Sequence, residues 1–359
     1  MVNLLYIPLL ILGLLTGTSI AQEVSDGKAI VTDRCTSCHN ISGPAPATLN
    51  ALRKRQAPDL FYAGSKFRRE WMINWLQNPT PIRGSGVLYL DHIAVTEGKD
   101  LVAVNSIQPC PTKLSRAESA AVTDYLLTLQ DPQLQLGTVN IKKRFPKHKG
   151  LRLFRKQLPC IGCHQIKVGK RVVGGVSGPN LTDAGRRLNP DWVYSRIENP
   201  QYWDPKTWMP RVPMSPKKRT LLTRFIATMK SDQPAAIPPT GSSFGTAATM
   251  SDFVTVSDET NESAELNYQL YCSQCHGSQG NGRGINDSAG GLSVSPRNHR
   301  LAEQMKKLTD KELRLAISKG GDAMEKSGLM PPFGKTLSET EIDEMAHYLR
   351  KLCECQGPS

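Results

Sequence analysis

Six of the nine cysteines fall in three copies of one five-residue pattern. They read Cys35-Thr36-Ser37-Cys38-His39, Cys160-Ile161-Gly162-Cys163-His164 and Cys272-Ser273-Gln274-Cys275-His276. Each is C-x-x-C-H, the attachment signature of c-type haem. Two thiols one helical turn apart can form thioethers to both vinyl groups of one haem. The adjacent histidine then lies under the iron as proximal ligand. A zinc ribbon needs a second C-x-x-C close by, whereas these motifs lie more than 100 residues apart. A thioredoxin-like dithiol needs no histidine after its second cysteine. The expected cofactor is three covalently bound haem c, on Cys35 and Cys38, Cys160 and Cys163, and Cys272 and Cys275. His39, His164 and His276 are the expected proximal ligands.

On these motifs the chain resembles a multidomain class I cytochrome c with three haems, over everything after residue 22. The resemblance implies a helix before each motif, a distal ligand further on, often Met-Pro, and a closing C-terminal helix. The third segment fits this order. Ala264 to Tyr271 is a helical lead-in, Thr309 is an N-cap, Met330-Pro331 offers the ligand, and Leu337-Ser338-Glu339-Thr340-Glu341 caps the last helix. The expected fold is mostly α, three tandem cytochrome c domains, the first with an inserted β-hairpin.

Segments one and two are the closer pair. At an offset of 121, Pro58, Leu60, Ala63, Gly64, Trp71, Asn78 and Pro79 match Pro179, Leu181, Ala184, Gly185, Trp192, Asn199 and Pro200. Seven identities in 22 ungapped positions, tryptophan included, argue for internal duplication. Trp71 and Trp192 read as core residues on a middle helix. The expected domains are 22–132, 150–230 and 259–359, with a basic connector at 133–149 and a Pro, Gly, Ser and Thr-rich linker at 231–258. Only 6% of residues are aromatic, which fits domains whose haem supplies part of the core.

Distal ligands separate the three sites. Met209-Pro210 is the expected ligand in segment two, with Met214 as alternative, and Met330 in segment three, with Met324 next. His/Met ligation raises the potential and closes the coordination sphere. Segment one has no methionine between Met72 and Met209, and Cys110-Pro111 fills the slot. Cys110 lies five residues before Ser115, as Met209 lies six before Ser215. About 21 extra residues precede this slot. They read as a hairpin with strands Val87 to Val95 and Leu101 to Ile107, and His92 in the first strand. The first iron is therefore expected to take Cys110, with His92 as alternative. His148, His299 and His347 read as solvated or structural. Cys353 and Cys355 form a C-x-C to which no function is assigned.

Leu4 to Leu15 is almost wholly apolar, and Ser19-Ile20-Ala21 offers small residues before a cut. Residues 1–21 read as a signal peptide, or else an uncleaved anchor. Either places the rest in the periplasm or on the outer face of the cytoplasmic membrane. A mean hydropathy of −0.36 excludes a polytopic membrane protein. The net charge is +13, but residues 142–230 alone carry 21 basic and 4 acidic side chains. Residues 251–359 carry 12 basic and 16 acidic. The basic segment suits an acidic redox partner, a membrane-bound complex or anionic lipid. Nucleic acid is not an expected partner. Electron transfer in a respiratory chain is the expected function, as shuttle or as complex subunit. The alternative is an enzyme with a Cys- or His-ligated first haem acting on sulfur compounds. An open first site would instead suit peroxide or small gases.

Overall fold

The computed structural model describes residues 20–231 and 264–358. The expected signal segment, up to residue 19, and all but the first residue of the expected linker lie outside them. No described helix is long and apolar enough to cross a membrane.

One arrangement of helices recurs three times. A lead-in helix meets a closing helix, and a middle helix lies between them in sequence. The first lead-in, Ile20–Arg34, crosses the closing helix Arg116–Thr128. Gly27 makes the crossing possible, because a Cβ there would stand 2.0 Å from Ala121 O. Gly150 repeats the device in segment two, where a Cβ would stand 2.5 Å from Phe225 Cβ in the closing helix Pro216–Ile226. Ser115 with Glu118, and Ser338 with Glu341, form capping boxes at the first and third closing helices, and Ser215 caps the second. The middle helices are Arg69–Gln77, Pro190–Glu198 and Asp310–Lys319, the last capped by Thr309.

Segments one and two meet about a local pseudo-two-fold axis. Phe67 bridges antiparallel to Leu188, which is its own equivalent at the offset of 121. The flanking bonds are reciprocal. Arg68 N–H donates to Arg187 O, and Asn189 N–H donates to Lys66 O, both at 2.9 Å. Equivalent residues thus meet equivalent residues, as in an isologous dimer interface.

The hairpin of segment one is present but shorter than its sequence suggests. Ile93–Thr96 pairs antiparallel with Lys99–Val102 around Glu97 and Gly98, both at positive φ. Leu88, Tyr89 and Leu90 are all buried, which a two-residue alternation does not allow. Tyr89–His92 accordingly forms a 3-10 turn, so His92 precedes the strand rather than lying in it. Val104–Ser106, expected in the second strand, is also a 3-10 turn. A second hairpin, Ile166–Val168 with Arg171–Val173, follows the second motif.

The insertion serves the third segment's core. Leu88, Tyr89, Leu90, Ile93 and Val102 pack in one cluster with Leu270, Tyr271, Met345 and Leu349. The Tyr89 hydroxyl donates to Gln269 O and meets Ser273 Oγ at 3.0 Å. The Asp100 carboxylate accepts from Ser278 N and Oγ at 2.6 and 2.8 Å. Segment three is thereby seated against segment one, although the linker precedes it.

Candidate functional site

Each motif begins where a helix widens. Leu153–Gln157 and Tyr268–Cys272 are π-helical turns just ahead of or into the second and third motifs. In the first, Thr36 N–H reaches back five residues to Val31 O at 3.2 Å. Such turns displace the chain at functional sites. One helical turn then closes each motif, with His39 N on Cys35 O at 2.8 Å and His164 N on Cys160 O at 3.0 Å. Residues three apart lie on one helix side, so the two thiols of a motif face the same way.

All three motifs line one continuous cavity of about 1470 Å³. A single small-molecule cleft holds roughly 300–1,000 Å³, so this space suits more than one large group. The histidines enter it in one way. His39 Nδ1 sits 2.7 Å from Pro58 O, His164 Nδ1 2.8 Å from Pro179 O, and His276 Nδ1 2.9 Å from Arg297 O. A carbonyl can only accept, so Nδ1 carries the proton and Nε2 keeps its lone pair. Burial lowers the pKa of all three, His164 to about 4. Neutral imidazole with a pinned Nδ1–H is the form that binds a metal.

Burial raises the pKa of the Cys35, Cys160 and Cys272 thiols, the latter two to about 12. Cys163 and Cys275, from different motifs, both lie against Asn286 Nδ2, at 3.8 and 3.5 Å. The interaction between the two thiols lowers the pKa of Cys163 and raises that of Cys275. Among the described residues no group of three or more His, Cys, Asp or Glu side chains is arranged for a bare metal ion.

The cavity wall is apolar with a surplus of cations. Its charged lining comprises nine lysines and arginines against four carboxylates. Arg55 pairs with Asp59 at 3.1 Å and Asp204 at 3.5 Å. Lys66 lies over the rings of Tyr62, Phe67 and Trp192 at 4.8 to 5.6 Å and lines the cavity. Burial and then the nearby arginines push Lys66 down to about 7, and burial pushes Arg83 down to about 9. Arg55 Nε and Arg83 Nε are buried with no hydrogen-bond partner. Buried cations cost several kcal/mol each unless an anion joins them. The lining therefore asks for a large apolar group bearing carboxylates, which is the chemistry of haem with its propionates. Sequence reading missed this cradle, because its charges are spread from Arg55 to Arg196 and only folding collects them.

Every expected distal ligand lines the same cavity. Met209 and Met330 are half-buried there, as are the alternatives Met214 and Met324. Thr207 Oγ1 accepts from Met209 N at 3.3 Å, and Gln201 donates to Met209 O at 3.2 Å, so the loop is held from both sides. Cys110 lies between two prolines, half-buried, close enough that its charge raises the Cys35 pKa after the effect of burial. His92 Nδ1 lies 2.7 Å from Ser106 Oγ, whose own hydrogen goes to Ala103 O at 2.7 Å. His92 is therefore the donor, and its Nε2 is free. Met72, Met305 and Met345 are buried. His299, read as structural, is buried, stacks on His276 at 4.1 Å between centroids, and has Nδ1 2.9 Å from the Tyr268 hydroxyl. Trp71 and Trp192 sit on their middle helices and line the cavity. Cys353 and Cys355 form a disulfide.

The family model for cytochrome c oxidase, cbb3-type, subunit III matches residues 259–349. No curated protein and no solved structure matches the chain. Residues 259–349 are thus a c-type cytochrome domain, and such a domain implies covalently bound haem c and electron transfer.

Proposed function

We propose that the chain is an exported triheme c-type cytochrome that transfers electrons, as a shuttle or as the cytochrome subunit of a membrane redox complex. The carrying observation is that three C-x-x-C-H motifs, each with its histidine Nδ1 pinned to a carbonyl, open into one cavity lined by more cations than carboxylates. The reading assigns a domain to each of 22–132, 150–230 and 259–359. Residues 133–149 are then a basic connector, 231–258 a linker and 1–21 a cleaved signal or anchor.

Haem bound at each site supplies one reversible electron. Cys35 and Cys38, Cys160 and Cys163, and Cys272 and Cys275 would hold it by thioethers. His39, His164 and His276 would offer Nε2 to the iron. Met209 and Met330 would complete the second and third sites. Arg55, Lys66, Arg83 and Arg196 would meet carboxylates of the group near the first two sites. The basic 142–230 segment steers an acidic partner or an anionic membrane surface.

The first site favours a second reading. Cys110 occupies the slot that holds Met-Pro elsewhere and lies within electrostatic reach of Cys35. Thiolate ligation there lowers the potential and admits an enzyme acting on sulfur compounds. Intact mass of the purified protein tests the main reading, with three attached haems expected and any smaller number against it. Low-temperature EPR of Cys110→Met decides the second. Loss of a low-spin thiolate signal assigns the iron to Cys110, and an unchanged bis-His signal assigns it to His92.

A further inference from the structure

The second and third motifs meet at one buried polar junction. Asn286 is fully buried, and its Nδ2 reaches Cys275 Sγ at 3.5 Å, Cys163 Sγ at 3.8 Å and Ser177 Oγ at 2.9 Å. Its Oδ1 accepts from Val176 N at 2.9 Å and Ser177 N at 3.0 Å. One amide side chain therefore touches a sulfur from each motif while both of its ends are fixed. Glycines allow the approach. A Cβ at Gly175 would stand 1.9 Å from Gly162 O, and one at Gly291 would stand 2.4 Å from Gly175 N. No comparable contact joins the first motif's sulfurs to another motif among the described residues.

Resting on the reading of three attached haems, we propose that Asn286 is a positioning residue that couples the second and third sites into one interacting redox pair, with the first site outside it. A thioether sulfur keeps its lone pairs and has no hydrogen. Attachment therefore removes the bonds the thiols donate. One Asn286 Nδ2 hydrogen goes to Ser177 Oγ, and the other, shared between the two sulfurs, is the one that survives. Hydrogen bonds around a haem and its burial are levers on its potential. With Cys163 Sγ and Cys275 Sγ lying 3.8 and 3.5 Å from the same Asn286 Nδ2, the charge added by one reduction would act on the neighbouring site across a low-dielectric gap. Such sites titrate with values that belong to the pair. One electron passed within the pair reduces one iron and oxidises the other, so no further reactant is needed.

The test is a spectroelectrochemical titration of the three-haem protein, with EPR of its oxidised form. The first haem is told apart by its different sixth ligand. In the wild type the second and third haems are expected to show magnetic broadening and steps at least about tenfold apart in equilibrium constant, about 59 mV. Asn286→Leu is expected to move those two components and leave the first in place. Gly291→Ala, which wedges the backbones apart, is expected to remove the broadening. Independent second and third components in the wild type overturn the inference without any variant. So does an Asn286→Leu titration in which all three components move together or none moves. A mass with fewer than three haems instead overturns the functional reading itself.

Discussion

Asp100 is the residue on which the docking of segment three is most exposed to pH. Its carboxyl is buried under Ser278, and burial raises its pKa to about 6, against the hydrogen bonds from Ser278 that lower it. The folded state therefore binds a proton that the unfolded chain has lost above about pH 4. Stability contributed here is fully present below the unfolded value and is lost as pH rises from about 4 through 6. Denaturant melts at pH 5 and 7 check it. Asp100→Asn, which keeps an acceptor for Ser278 N, is expected to flatten the difference between the two. The three C-x-x-C-H motifs stand out in the sequence because their chemistry requires adjacent positions. Asp100 and Asn286 were not, because nothing within a few residues of either distinguishes them from surface polar residues.

At the scale of elements, the helix crossings carry the sharpest expectation. Gly150 sits where a Cβ would overlap Phe225 Cβ at 2.5 Å. Gly150→Val must push the two helices apart, and overpacking of this kind costs about 1–3 kcal/mol. Ser115→Ala removes only a cap, which costs about 1 kcal/mol. Thermal unfolding of the holoprotein should therefore rank Gly150→Val below Ser115→Ala, and Ser115→Ala below the parent. The caps at Thr309 and Ser338 were readable because capping is a local contract between residues three apart. The hairpin was readable at its turn, around Gly98, and misread at its ends. Leu88, Tyr89 and Leu90 look like strand residues, and they turn because a distant helix pair buries all three.

At the scale of the whole molecule, charge is divided as sharply as mass. The 142–230 segment is strongly basic, and residues 251–359 are weakly acidic. Electron exchange with an acidic partner is expected to slow markedly between low and physiological ionic strength, as the Debye length falls from ~30 Å at 0.01 M to ~8 Å at 0.15 M. Stopped-flow reduction over a salt series measures it, and a flat response would remove the basic segment from docking. The cavity adds a second expectation. With more cations than carboxylates left along the cavity, the chain in which all six motif cysteines are replaced by serine is expected to melt well below the holoprotein by circular dichroism.

The amino-acid sequence by itself displays the three C-x-x-C-H motifs and the helix caps at Thr309 and Ser338, since each is written in residues at fixed short spacings. Tertiary structure decided which segments share a wall. The pseudo-two-fold contact of Phe67 with Leu188, the seating of Tyr89 against Gln269 and Ser273, and the bridge of Asn286 between Cys163 and Cys275 all join residues more than 100 positions apart, except Asn286 with Cys275. Their partners are chosen by close packing and by the cost of leaving a buried polar group unpaired. Both quantities exist only once the chain has folded.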